Sequence, residues 1–234
     1  MPELKNNKGS REKKMAIDYK EDRISMFKYQ SEKYNTSEAC SEKLSYEIAR
    51  VLKYDCAKIE LAIDKSGKLG ILNYLFVDLD KSEHIDADAF IKKGENDRKK
   101  FYNLENIKMC LDKLNKNLYF DFLKIMFFDA LIGEQDRHEE NWGVTVNKGE
   151  YKISPLYDNG CNLLRNFKDE KYAEKYYNNE CLFEKYINRS KSLIYKKNGQ
   201  KYGHFELIED VYEEYPEFIQ NEVLKLNILS ENIV

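Results

Sequence analysis

The chain of 234 residues has no CxxC pair, and its five cysteines (Cys40, Cys56, Cys110, Cys161 and Cys181) are odd in number. That pattern argues against a disulfide framework and against a cysteine-based zinc site, and predicts reduced thiols. Apolar runs of the ~20 residues a membrane helix requires are missing. The N-terminus, MPELKNNKGSREKK, lacks the apolar stretch of a signal peptide. There is no excess of positive charge: 39 Lys and Arg stand against 42 Asp and Glu, a formal net charge of −3. Direct nucleic-acid binding is therefore not expected. Internal repeats and low-complexity tracts are also missing. These absences predict a soluble, cytoplasmic protein with no membrane partner.

What is present is the composition of a packed protein, 42% hydrophobic with 18 Tyr and 12 Phe. The length suits one domain of two lobes. Residues 15–30 (MAIDYKEDRISMFKYQ) read as two short strands around a charged turn, Lys20 to Arg23. Residues 35–55 carry apolar side chains at 40, 44, 48, 51 and 52, the stripe of an amphipathic helix, with Asn35, Thr36 or Ser37 to cap it. Residues 57–78 hold a Ser66-Gly67 turn between two strand-like runs. The order β-β-α-β-β predicts a first lobe, residues 1–80, with a small antiparallel sheet and one helix against it.

From 81 to 234 the character changes to a mainly helical second lobe. SEHIDADAFIKKGENDRKK (82–100) reads as a polar connecting segment, and 103–114 and 117–133 read as helices. The second of these is apolar nearly all round, which predicts a course through the core, ended by Gly133. Residues 188–218 mix basic and acidic halves and read as a solvated surface of that lobe, with substrate binding as the alternative.

The buried helix leads into GEQDRHEENWGV (133–144), where Asp136, His138 and Asn141 share one short loop. Beyond it, residues 142–154 alternate and turn like a hairpin with Asn147-Lys148-Gly149 at the tip. A hairpin returns the chain to its start, so PLYDNG (155–160) is expected to bring Asp158 beside Asn141, with Asp136 one loop away. Two carboxylates and an amide oxygen are hard ligands suited to Mg²⁺. Phosphoryl transfer needs such a set: Asp136 to orient and deprotonate an attacking hydroxyl, and Asn141 and Asp158 to hold the metal. The protein-kinase catalytic loop has the same Asp-to-Asn spacing and completes its site with an Asp on a following loop. The competing reading is a polar turn whose residues cap the backbone. His138 reads as fixing the loop by hydrogen bonds, with a metal ligand or second general base as the alternatives, and Trp142 and Tyr157 read as packing.

DALIGEQDRHEENWGV followed by ISPLYDNG closely resembles the C-terminal kinase core of HipA-type serine/threonine kinases, which carry a similar D-x-H-x-x-N stretch and a PxYD motif. The DRHxxN order is also similar to that of the phosphoinositide kinases, distant relatives in fold. Upstream, NKGSREKKMAI resembles the family's phosphate-binding loop, ISMFK the strand with the nucleotide lysine, and SEKLSYEIARVL the helix after it. The resemblance implies an α+β, two-lobed, protein-kinase-like fold. It implies an ATP- and Mg²⁺-dependent kinase acting on a Ser or Thr hydroxyl of a protein substrate, in a toxin–antitoxin setting.

Carried over by position, Asp136 is the catalytic base, and Asn141 and Asp158 are the magnesium ligands. Lys28 binds the ATP phosphates, and Gly9, Ser10, Arg11 and Lys13 cover them, with His138 also at the nucleotide. Glu42 falls where the family places a helix glutamate that pairs with the lysine, with Glu38 and Glu47 as rivals. The backbone of Tyr74, Leu75 and Phe76 lines the adenine pocket. Family members usually carry a further region ahead of the phosphate loop, where this chain has only a few residues. That implies either a minimal kinase whose missing segment sits on an antitoxin or companion subunit, or a stand-alone subtype. The serine that some members autophosphorylate is replaced by Asn6 or Asn7, which puts self-inhibition in question. Two rival functions remain. A pseudokinase module conflicts with intact Asp136, Asn141, Asp158 and Lys28, and a metal-dependent phosphohydrolase needs neither Lys28 nor the glycine loop.

Overall fold

The structure, a computed structural model, describes residues 13–18, 23–30, 37–92, 97–162, 165 and 169–232. Gly9, Ser10 and Arg11 of the expected phosphate loop, Asn6 and Asn7 before it, and the expected caps Asn35 and Thr36 lie outside the described residues.

Strands β1 (Lys13–Asp18), β2 (Arg23–Tyr29), β3 (Ile59–Ile63) and β4 (Leu69–Tyr74) form an antiparallel sheet in the order β1-β2-β4-β3. The register sets Lys13 opposite Lys28, Met15 opposite Met26 and Met26 opposite Asn73. Directly paired side chains share a face, so these five residues look the same way. The β3–β4 turn is held by Asp64, whose carboxylate accepts the backbone N–H groups of Ser66 and Lys68, while Gly67 takes φ of 85°.

Helix α1 (Glu38–Val51) lies against this sheet, and only the C-terminal part of its apolar stripe, Ile48 and the following Leu52, packs on the core. Leu44 is 43% exposed and Cys40 is exposed, whereas Glu38, Ser41, Glu42, Ser45 and Ala49 are buried. The reason is what packs there. The small Ser45 lets the helix meet a loop: its Oγ accepts from Asn162 at 2.8 Å, donates to the Ser41 carbonyl at 2.8 Å and lies 3.3 Å from the Asn159 carbonyl. The glutamates turn inward to a lysine. Ser37 stands at the N-cap without a side-chain capping bond.

The segment expected to be a polar connection is structured. It holds β5 (Glu83–Asp86), α2 (Asp88–Ile91) and α3 (Arg98–Phe101). β5 pairs with β6 (Gly143–Asn147), which pairs with β7 (Glu150–Ile153), giving a second antiparallel sheet. A four-residue strand reading EHID has too little apolar alternation to be found by pattern, and its partner lies some sixty positions on.

Helices α4 (Leu104–Leu114) and α5 (Leu118–Ile132) follow, and α5 is buried on nearly every side. Its Phe122, Leu123, Met126 and Phe128 meet Ile107, Leu111 and Trp142 in the main core. Burying each large apolar side chain contributes roughly 1.5–3 kcal/mol. Gly133 ends α5 in the left-handed conformation, φ 67°. Beyond the hairpin come α6 (Glu170–Tyr177), α7 (Glu180–Ile187), β8 (Lys191–Tyr195), β9 (Lys201–Gly203), α8 (His204–Glu214) and α9 (Pro216–Asn232). Residues 188–218 are therefore not simply a solvated surface. Leu193 and Ile194 of β8 and Leu207 and Val211 of α8 join the core. The five cysteines are free thiols, and no helix among the described residues is long and apolar enough to cross a membrane.

Candidate active site

Lys28, on β2, points between α1 and the loop after β7. Its Nζ lies 2.5 Å from Glu42 Oε1, 2.5 Å from Asp158 Oδ1 and 3.9 Å from Glu38. Glu47 turns instead to Lys43 and Arg50, so of the three rivals Glu42 is the partner. Burial works against the ammonium, but the charges of Glu42 and Asp158 outweigh it and raise the pKa above the ordinary lysine value. Lys28 is thus a fixed positive charge. The approach of the two elements depends on Gly160, where a Cβ would meet Glu42 Cγ and Oε1 at 2.8 Å and Glu38 Cγ at 2.9 Å. The glycine of PLYDNG is there for lack of room.

The helical lobe holds its side of the site through Arg137, which is buried and bonds to four residues. Its guanidinium forks onto Asp129 of α5, with Nε to Oδ2 at 3.1 Å and Nη2 to Oδ1 at 2.9 Å. Nη1 donates to the carbonyls of Asn141 at 2.9 Å and Tyr157 at 2.8 Å, and Nη2 also donates to Asn159 Oδ1. Burial opposes the charge, yet Asp129 overrides it and raises the pKa of Arg137 further. One side chain therefore fastens the 136–141 loop to the 157–159 loop. The hairpin between them closes with Lys148 and Gly149 at positive φ, 50° and 82°, a two-residue turn of the I′ kind.

Around these fixtures lies a cavity of about 580 Å³ that brings together Lys13, Lys28, Asp136, His138, Asn141 and Asp158. Asn141 donates Nδ2 to the Asp136 carbonyl at 2.7 Å, which leaves Oδ1 as the amide's acceptor. His138 accepts the Glu140 N–H on Nδ1 at 3.2 Å, a bond within the loop. Asp158 takes φ of 53°, unusual for a residue with a side chain. A larger cavity, about 820 Å³, opens between Tyr54, Leu118 and Tyr151 and includes none of these residues. Size alone therefore misdirects here, and the chemistry lies in the smaller space.

Magnesium, which the resemblance implies, fits the donor set. No group of three or more His, Cys, Asp or Glu among the described residues is arranged to hold a metal. Asn141 Oδ1 and the Asp158 carboxylate, both at the cavity, offer instead the few hard oxygens that Mg²⁺ takes from protein when phosphates supply the rest.

The expected adenine segment, Tyr74, Leu75 and Phe76, does not line this cavity. Tyr74 and Leu75 commit their backbone N–H groups to the carbonyls of Lys58 and Ile24, both at 3.0 Å. Phe76 stacks on Tyr157, centroids 5.5 Å apart. What the sequence reading missed is an exposed apolar patch on the cleft side of the sheet. Met26 lines the cavity, and by register and alternation Met15, Ile17 and Ile24 share its face. All three are more than a third exposed. Their alternation in β1 and β2 was the available signal.

A model of the HipA-like C-terminal domain matches residues 7–214. The serine/threonine-protein kinase CtkA of Helicobacter pylori is 27% identical over 109 residues, 46% of this chain and 33% of that protein, so the match spans about a third of the relative's length. The crystal structure of the Helicobacter pylori proinflammatory kinase CtkA superposes with a TM-score of 0.72 at 22% identity, covering 86% of this chain and 71% of that one. The two share a fold. A toxin–antitoxin complex of HipA, HipB and operator DNA from Shewanella oneidensis gives a TM-score of 0.48 at 13% identity, covering 68% and 46%.

Proposed function

From the premise that this chain belongs to the HipA-like C-terminal domain family, we propose that it is an ATP- and Mg²⁺-dependent serine/threonine protein kinase. The observation that carries the proposal is the shared cavity of Lys28, Asp136, Asn141 and Asp158, with Glu42 behind the lysine. Lys28 and Lys13 hold the ATP phosphates, and Met15, Ile17, Ile24 and Met26 offer an apolar roof to the base. Asp136 accepts the proton of a Ser or Thr hydroxyl as its oxygen attacks the γ-phosphorus. The bond to the β–γ bridging oxygen breaks, and ADP leaves with that electron pair. Magnesium, held by Asn141 and Asp158, would supply neutralisation of phosphate charge. A phosphohydrolase would need no buried lysine held by two carboxylates.

Family membership extends the proposal to a cytoplasmic toxin with an antitoxin or companion subunit. The test is incubation with γ-labelled ATP, magnesium and cell lysate. Label on Ser or Thr of discrete proteins is expected with the native chain, and loss of that label with Lys28→Met and Asp136→Asn. For Asp136→Asn the fall should be ~10²–10⁴-fold with ATP affinity retained. No label with the native chain, or undiminished label with both variants, overturns the proposal.

A further inference from the structure

Glu134 takes no part in the chemistry above, yet its carboxyl is divided between the two loops that carry it. It follows the left-handed glycine that ends α5 and is 1% exposed. Oε1 accepts the backbone N–H of Asp136 at 2.9 Å, and Oε2 accepts the backbone N–H of Cys161 at 3.1 Å. Beside it, the Gln135 N–H donates to the Cys161 carbonyl at 3.1 Å. Cys161 lies three positions past Asp158 and borders the same cavity. Burial pushes its thiol up to about 12, so it offers no competing thiolate.

We propose that Glu134 is a positioning residue, setting the Asp136 carboxylate against the acceptor hydroxyl by stapling its backbone to the loop that carries Asp158. This rests on the kinase reading of the site. Arg137 gathers the carbonyls of Asn141 and Tyr157, while Glu134 gathers the amides of Asp136 and Cys161. The two ties therefore act on different ends of each loop, and Arg137 cannot replace Glu134. Glutamine in its place keeps the volume but has only one acceptor oxygen. Its amide N–H groups would face a donor, and one of the two backbone N–H groups would lose its partner. Misplacement of a catalytic group by about 1 Å costs up to ~10²-fold in rate.

In the full chain, assayed at about pH 9 so that the Glu134 carboxyl, raised to about 8, is ionised and both its oxygens accept, Glu134→Gln should bind ATP within about twofold of the native affinity and keep its KM for ATP. Its kcat for phosphate transfer to casein should fall about 10- to 100-fold. The backbone amide resonances of Asp136 and Cys161 should both move. Glu134→Asp, with the charge on a shorter arm, should fall between native and Gln, and it serves as the test if Glu134→Gln does not fold. A purely structural role predicts lowered melting temperature with undiminished turnover per folded molecule. Folded Glu134→Gln with native turnover, or with both amides unmoved, overturns the proposal and leaves the kinase reading intact. A native chain that transfers no phosphate overturns both.

Discussion

Helices α1 and α5 each bury one set of side chains beside the site, with opposite chemistry. α5 buries Phe122, Leu123, Met126 and Phe128, and its one buried acid, Asp129, is fully matched by Arg137. α1 buries Glu38, Glu42, Ser41 and Ser45, matched by Lys28 and by the loop around Asn159 and Asn162. A side chain concealed from water therefore does not contribute the same stability in both helices. The interior of α5 holds the fold together, whereas that of α1 holds a charge in place.

The contrast breaks most readily at its stable end. Phe122→Ala, inside α5 and against the Trp142 ring at 4.5 Å, should lower unfolding free energy by ~3–5 kcal/mol in a urea titration. A loss under about 1 kcal/mol would mean that α5 is not the core of its lobe. Next, Glu42→Gln should leave stability within about 1 kcal/mol but weaken ATP binding by about 10- to 100-fold, the worth of a hydrogen bond to a charged group. Calorimetry finding unchanged ATP affinity would detach α1 from the nucleotide.

A pH experiment sharpens the same contrast. Burial, opposed by Arg137 and reinforced by Asp129, pushes the Glu134 carboxyl up to about 8. A raised folded pKa gives stability that is full below the ordinary carboxylate range and lost as pH rises through about 8. Native protein should therefore lose more melting temperature between about pH 5 and about pH 8 than Glu134→Gln does. Parallel curves would show that the carboxyl titrates normally. The smallest effect is expected at the outer face of α1. Leu44→Lys should change stability by no more than about 0.5 kcal/mol, since that side chain already meets water. A loss several times larger would restore the apolar stripe to the interior.

That last position shows where the sequence is readable and where it is not. Local signals are legible. The β-β-α-β-β order, the Gly133 helix end and the Asn147-Lys148-Gly149 turn each depend on neighbours in the chain, and the structure has each of them. The approach of the DRHEEN and PLYDNG loops follows from a single hairpin. Pairings across long separations are not legible. Lys28 and Asp158 stand 130 positions apart, and nothing local distinguishes Glu42 from Glu38 or Glu47. Arg137 passed unremarked inside the very motif that was singled out, because its five donors go to backbone and to Asp129 and Asn159, which no spacing rule connects. Periodicity holds for Ile48 and Leu52 but misreads the first turns of α1, because it assumes that buried means apolar, and a site that needs buried charge breaks that assumption.

The tip of the β6–β7 hairpin acts as a length standard for the whole catalytic apparatus. Asn141 lies just ahead of β6 and Asp158 just past β7, so the offset between them is set by the pairing of Val144 with Ile153 and Asn147 with Glu150. One extra residue at Lys148-Gly149 would shift one arm by about 3.3 Å and turn every β7 side chain to the opposite face. The Arg137 carbonyl partners would then fall out of reach of one guanidinium. Loops at a surface ordinarily tolerate added length. This one, whose Gly149 borders the other, larger cavity, transmits each inserted residue to the active centre as a change of spacing.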